Sequence, residues 1–256
     1  MLPQRINLIA YSTLAVIICY IDRVNISVAI IPMQEQFGWS DSQVGFIFSS
    51  FYLGYMLTMA LGGYLSDKFG GKRVLGWGVV LWSIFTILTP LAAHNGFFAL
   101  FFIRILMGIG EGVTFPAWHS LYARWIPFNE RTRAIAFTNS GVSIGTIIGY
   151  IGTQMIILAM GWEWAFYIFG IVGLVWFIFW NRNVTSYPNE HKRISAEELA
   201  YIQENAPSSE PAKKIPFRQL LVNKPFLAIV AATFANNWSL FVFLSFLPKF
   251  IDNELG

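Results

Sequence analysis

Charge is what this sequence has least of. Lys, Arg, Asp and Glu make up 12% of its 256 residues, roughly half the share of a soluble globular chain. With 55% hydrophobic residues, the chain has too little polar surface to solvate a water-soluble domain, and that class is excluded. Cysteine is nearly absent as well. Cys19 stands alone inside an apolar stretch, so there is no disulfide framework. One cysteine and three histidines supply no metal-ligand cluster, and no nucleophile–base arrangement or phosphate-gripping Gly–Lys loop is found. An enzyme, a metal or cofactor requirement and an ATP-driven pump are therefore not expected. A cleavable leader is not expected either: only Met1 to Arg5 precede the first apolar run, and that run carries Asp22, Arg23 and Asn25.

What the chain has instead is apolar runs, with a mean hydropathy of +0.55. Seven of them, at about 6–31, 41–65, 74–93, 97–123, 133–159, 163–181 and 225–250, approach the ~20 residues that cross a bilayer as a helix. The expected class is an all-α membrane protein. Pro32, Gly70-Gly71, Pro90, Pro127 and Gly161 mark the breaks. One break is long: a bundle over 1–181 is followed by a polar connection over 182–224 and a last helix in 225–256. Within the connection, Ser195-Ala-Glu-Glu198 reads as a capping box opening a short surface helix, and 207–211 as flexible linker.

The net charge of +3 and pI near 9.0 do not point to nucleic acid, because the bases sit in the breaks. Arg5, Lys68, Lys72, Arg73, Arg124, Arg131, Arg133, Arg182, Lys192, Arg193, Lys213, Lys214, Arg218 and Lys224 fall on one side, with Lys249 alone opposite. The positive-inside rule then places the amino terminus and the 182–224 loop in the cytoplasm. The remaining bases, Arg23 and Arg104, and two acids, Asp22 and Glu111, lie within spans.

A charge at the bilayer centre costs about 2.5–3.5 kcal/mol on insertion scales. Four of them imply pairing, a polar cavity or both. Internal salt bridges that pin helices are the structural alternative to a role in binding or coupling. Arg104 and Glu111 are seven residues apart and share one helical stripe, with Gly108 and Gly112 nearby to admit a neighbouring backbone. Asp22 and Arg23 are adjacent, about 100° apart around the helix, and face different ways. An arginine facing a cavity suits carboxylate or phosphate, and a desolvated acid holds a proton more tightly. Tyr20, Asn25, Ser27, Ser49, Tyr52 and Tyr55 are the nearby polar candidates. Gly141, Gly145 and Gly149 form a packing stripe. Trp39, Trp125 and Trp162 suit interfacial belts.

Two sets of motifs carry a resemblance. Gly63, Asp67, Lys68, Gly70, Gly71, Lys72 and Arg73 match the loop between helices two and three of the major facilitator superfamily, which implies a conformational latch. Asp22-Arg23-Val-Asn25, Gly110-Glu111-Gly-Val-Thr-Phe-Pro116-Ala117-Trp118 and Trp125-Ile-Pro127 resemble the anion:cation symporters of that superfamily. Leu81-Trp-Ser-Ile-Phe-Thr-Ile-Leu-Thr-Pro90 and Asn236-Asn237-Trp238 lean toward its plant phosphate-type branch. The resemblance implies the amino-terminal six-helix bundle plus a seventh helix of a twelve-helix fold, so a truncated record is expected. It also implies proton- or sodium-coupled symport of a small organic anion or phosphate by alternating access. Arg23, Tyr55, Asn25, Tyr52 and Asn237 would bind substrate, and Asp22, Glu111 and Arg104 would couple the cation. The expected partners are the anionic substrate, H+ or Na+ and the lipid bilayer. The expected location is a plasma or bacterial inner membrane. The alternative is a non-transporting membrane module.

Overall fold

The structure, a computed structural model, describes residues 3–205 and 222–255. Lys213, Lys214, Arg218 and the linker expected at 207–211 lie outside the described residues. The chain divides into two units, residues 1–206 and 207–256. The first holds α1 (Gln4–Phe37), α2 (Asp41–Phe69), α3 (Gly71–His94), α4 (Phe97–Glu111), α5 (Thr114–Trp125), α6 (Phe128–Met160), α7 (Trp162–Asn183) and α8 (Ala196–Glu204). The second is the single helix α9 (Lys224–Leu255). No strand occurs among the described residues. Among the described residues, six helical segments are long and apolar enough to cross a membrane, α4 and α5 counting as one, and the bent α2 makes a seventh.

The helix ends show which break signals act. Pro32 and Pro90 lie inside α1 and α3, although both were expected at breaks. α1 stops instead at Gly38, whose left-handed φ of 66° costs a glycine nothing. The span expected at 97–123 is two helices. Pro116 has no N–H for the Gly112 carbonyl four residues before it, so the ladder fails there, and α4 ends at Glu111. That ending leaves Glu111 beside an interruption in the middle of the bundle.

Helices in lipid associate through close packing rather than hydrophobic burial, and glycine makes the closest approaches here. A Cβ on Gly54 would strike the Ile105 carbonyl, and one on Gly108 the Phe51 carbonyl, so α2 and α4 touch backbone to backbone. The stripe on α6 does the same against α1, with Gly145 meeting Ile17 O at 2.5 Å from where its Cβ would be. α1 also packs on α7, and α3 on α4, α5 and α7.

The interfacial tryptophans differ from expectation. Trp39, Trp125 and Trp162 are 7%, 1% and 4% exposed, so they plug the bundle ends instead of facing lipid. Their hydrogen bonds explain the position. Trp162 Nε1 donates to Gln36 Oε1 at 2.8 Å and Trp125 Nε1 to Thr185 O at 3.1 Å, which ties interhelical connections down. The segment after α7 also packs back against the start of α1. Ser195 caps α8 by accepting from Glu198 N, but the Glu198 carboxylate does not return to complete a capping box. It accepts from the backbone N–H groups of Gln4 and Arg5 at 2.9 and 3.0 Å, and so caps α1.

Candidate functional site

The four intramembrane charges lie at the centre of the first unit, all at most 4% exposed. Arg23 projects from the middle of α1 toward the end of α4. Its Nη2 and Nε donate to Glu111 Oε2 at 2.9 and 3.2 Å. The Cys19 thiol, one turn before Arg23, donates to the same oxygen at 3.2 Å. Glu111 Oε1 has no hydrogen-bond partner. The bridge is therefore one-sided: three donors converge on a single oxygen. The Arg23 guanidinium also lies over the rings of Tyr20, Tyr55 and Phe51, at 4.7, 4.8 and 5.3 Å, in the geometry of cation–π contact.

Arg104 and Glu111 share a buried stripe of α4 as expected, yet they do not form an ion pair. Two turns separate them by about 10.5 Å of helix rise, beyond the one-turn spacing at which side chains of a helix pair. Arg104 lies over Phe51, 4.9 Å from its centroid, with Nη1 3.2 Å from Met107 Sδ. Phe51 thus contacts both guanidiniums. Asp22 points away from Arg23, as adjacency requires. Both its oxygens are buried, and Glu111, the Trp82 indole of α3 and Arg104 are the groups that act on them.

The polar candidates are placed unequally. Tyr55 is buried beside Arg23 and stacks on Phe51 at 5.8 Å. Asn25 is buried on another face of α1, where Thr153 of α6 donates to its Oδ1 at 3.3 Å. Tyr52 is half-buried against Phe51. Asn237 lies on α9, in the second unit. Sequence reasoning missed Cys19, Phe51 and Trp82. Cys19 was findable, being four residues from Arg23, but nothing in the sequence places Phe51 or Trp82 beside these charges.

The loop between α2 and α3 turns at Gly70, with φ of 86°. Gly71 sits against the Ala117 carbonyl, 2.5 Å from where a Cβ would stand, whereas a Cβ on Gly63 would meet nothing within 4 Å. Asp67 Oδ1 accepts from Ser120 at 3.4 Å and lies 3.8 Å from Arg124 Nη2. Lys72 donates to the Asn181 carbonyl at 3.0 Å. Lys68 and Arg73 are exposed. The loop is thereby held to α5 and to the end of α7.

Comparison with known proteins places this geometry. A rice protein (Oryza sativa subsp. japonica) named probable anion transporter 4, chloroplastic, is 42% identical, matching 99% of this chain and 43% of its own length. The sodium-dependent phosphate transport protein 1, chloroplastic, of Arabidopsis thaliana is 41% identical over 99% of this chain and 49% of its own. The ascorbate transporter, chloroplastic, of the same plant is 40% identical, with 99% and 47% covered. The chain spans about half the length of the curated relatives it matches. Among solved structures, a bacterial homologue of the human lysosomal transporter Spinster, inward-facing and unoccupied, has a TM-score of 0.70 at 23% identity, over 98% of this chain and 56% of that one. The inward-open xylose transporter of E. coli has a TM-score of 0.73 at 18% identity, over 96% and 64%. At such identities these two show the fold alone. The plant relatives are named chloroplastic, which overturns the expectation of a plasma or bacterial inner membrane. Charge asymmetry shows which loops share a side, but it carries no information about which membrane they border. The model of the Major Facilitator Superfamily matches residues 12–256, and the chain belongs to that family.

Proposed function

We propose that this chain forms the substrate-gripping half of a secondary transporter for a small organic anion or phosphate in a chloroplast membrane. The observation that carries the reading is the one-sided bridge between Arg23 and Glu111. A buried guanidinium whose ion pair runs through a single carboxylate oxygen is a site where another anionic oxygen can compete. When substrate takes Arg23, Glu111 is left without its counter-charge in a low-dielectric interior, and taking up a cation or proton relieves that cost. Glu111, Asp22 and Arg104 then couple anion to cation, while Tyr55 and Tyr52 line the path beside Arg23. Asp67 and Arg124 act as a latch between states of alternating access. The division into a bundle (1–181), a connection (182–224) and the first helix of a second bundle (225–256) belongs to this reading.

The relatives named as anion, phosphate and ascorbate transporters support the substrate class. The second reading is a membrane module that does not transport by itself. Uptake of labelled phosphate and ascorbate into proteoliposomes under imposed proton or sodium gradients separates the two. Gradient-dependent uptake that Arg23→Ala abolishes supports the transporter. Uptake no greater than in empty liposomes supports the module.

A further inference from the structure

A polar cavity of about 730 Å³ lies at the basic end of the first unit, where α1, α3 and α7 meet the segment after α7. Positive-inside sorting explains the sign of its lining but not the way it converges. Four cations line it, Lys72, Arg182, Lys192 and Arg193, against one acid, Glu190. Two of its basic groups are used inside the fold. Lys72 Nζ donates to Asn181 O at 3.0 Å, and His191 Nε2 lies 3.1 Å from Asn183 O. Together they cover the last carbonyls of α7, which would otherwise repel an anion. The Glu190 carboxylate is turned to the Tyr187 N–H at 3.4 Å. The Tyr11 hydroxyl accepts from Asn183 Nδ2 at 3.0 Å, which leaves its own proton to donate outward. Arg182, Lys192 and Arg193 form no ion pair with a described residue, and Arg182, Lys192 and Arg193 are exposed. The cavity thus presents more cations than acids, and its one carboxylate is turned in part to a backbone donor.

We infer that this cavity is a second anion site, separate from Arg23, that takes an organic phosphate ester. Forked guanidiniums match phosphate oxygens, and the volume is that of a small-molecule site rather than of a bare ion. The cavity sits where a spanning helix ends, so the ester is supplied either by an anionic phospholipid headgroup or by a soluble organic phosphate.

The full chain in detergent, given equal phosphatidylglycerol and phosphatidylcholine, is examined by native mass spectrometry, and glycerol 3-phosphate is tested separately by thermal shift. Wild type is expected to retain one phosphatidylglycerol in at least about tenfold preference. The double variant Arg182→Gln/Arg193→Gln loses that preference. The control Arg133→Gln/Lys224→Gln, which removes the same charge outside the cavity, keeps it. Stabilisation by glycerol 3-phosphate that needs Arg182 and Arg193, without lipid preference, assigns the site to soluble esters. No preference and no stabilisation in wild type, or equal loss in both double variants, overturns the site. The cavity variants leave Arg23 and Glu111 in place, so failure of this site and failure of the transport reading are distinguishable.

Discussion

Arg23 and Glu111, 88 residues apart in the chain, meet through one carboxylate oxygen while the other stays without a hydrogen-bond partner. Removing one member of a buried ion pair typically costs 3–5 kcal/mol, because the survivor is left uncompensated. Arg23→Met and Glu111→Gln should each destabilise the detergent-solubilised chain by about that amount, and the double variant by far less than the sum. A double-mutant cycle from unfolding curves measures this. Additive effects would show that the two charges do not act as a pair.

Cys19 adds the third donor to that oxygen. Cys19→Ser keeps a donor and should be close to neutral, whereas Cys19→Ala should cost about 1 kcal/mol, the net worth of a typical hydrogen bond. The thiol is fully buried, so a charged alkylating reagent should not label it in the folded chain. Rapid labelling, or equal stability of the two variants, would contradict the assignment.

The approach of α2 and α4 leaves no room for a side chain at Gly108. Gly108→Val drives carbon into the Phe51 carbonyl, and overpacking against backbone should cost more than about 3 kcal/mol. Gly152→Ala is the control, since its Cβ would meet Phe169 at an ordinary 3.5 Å. Monodisperse yield on size exclusion should collapse for the first and hold for the second. Equal yields would mean that the helices are further apart than described.

Glu198 links α8 to the start of α1 and, through Arg5, to Glu130, whose Oε2 lies 3.0 Å from Arg5 Nε. Glu198→Ala removes the cap on α1, worth roughly 0.5–2 kcal/mol. Hydrogen exchange should rise at residues 4–5 and 196–204 with little change in the midpoint of global unfolding. Exchange that stays protected there would count against docking of α8.

The coupling role of the buried acids is tested by pH. If uptake is proton-driven, its pH dependence should flatten in Asp22→Asn or Glu111→Gln while binding at Arg23 persists. An unchanged profile in both variants would remove protons from the proposal and leave sodium as the coupling ion to test.

Much of this was legible before any coordinates. Low charge, seven apolar runs and one-sided bases set the class, the span count and which loops share a side, because those properties depend on composition along the chain. The four charges in spans were legible for the same reason. The stripe Gly141, Gly145 and Gly149 announced a packed face. Local spacing also separated Asp22 from Arg23, since neighbours on a helix cannot point the same way. Partnership was not legible. Glu111 binds an arginine 88 residues away rather than the one two turns back on its own helix, and Glu198 leaves its own helix to cap another. Both choices depend on which helices lie side by side, and only tertiary packing decides that. Buried polar groups take whichever partner the fold brings within hydrogen-bond reach, so sequence distance does not rank the options.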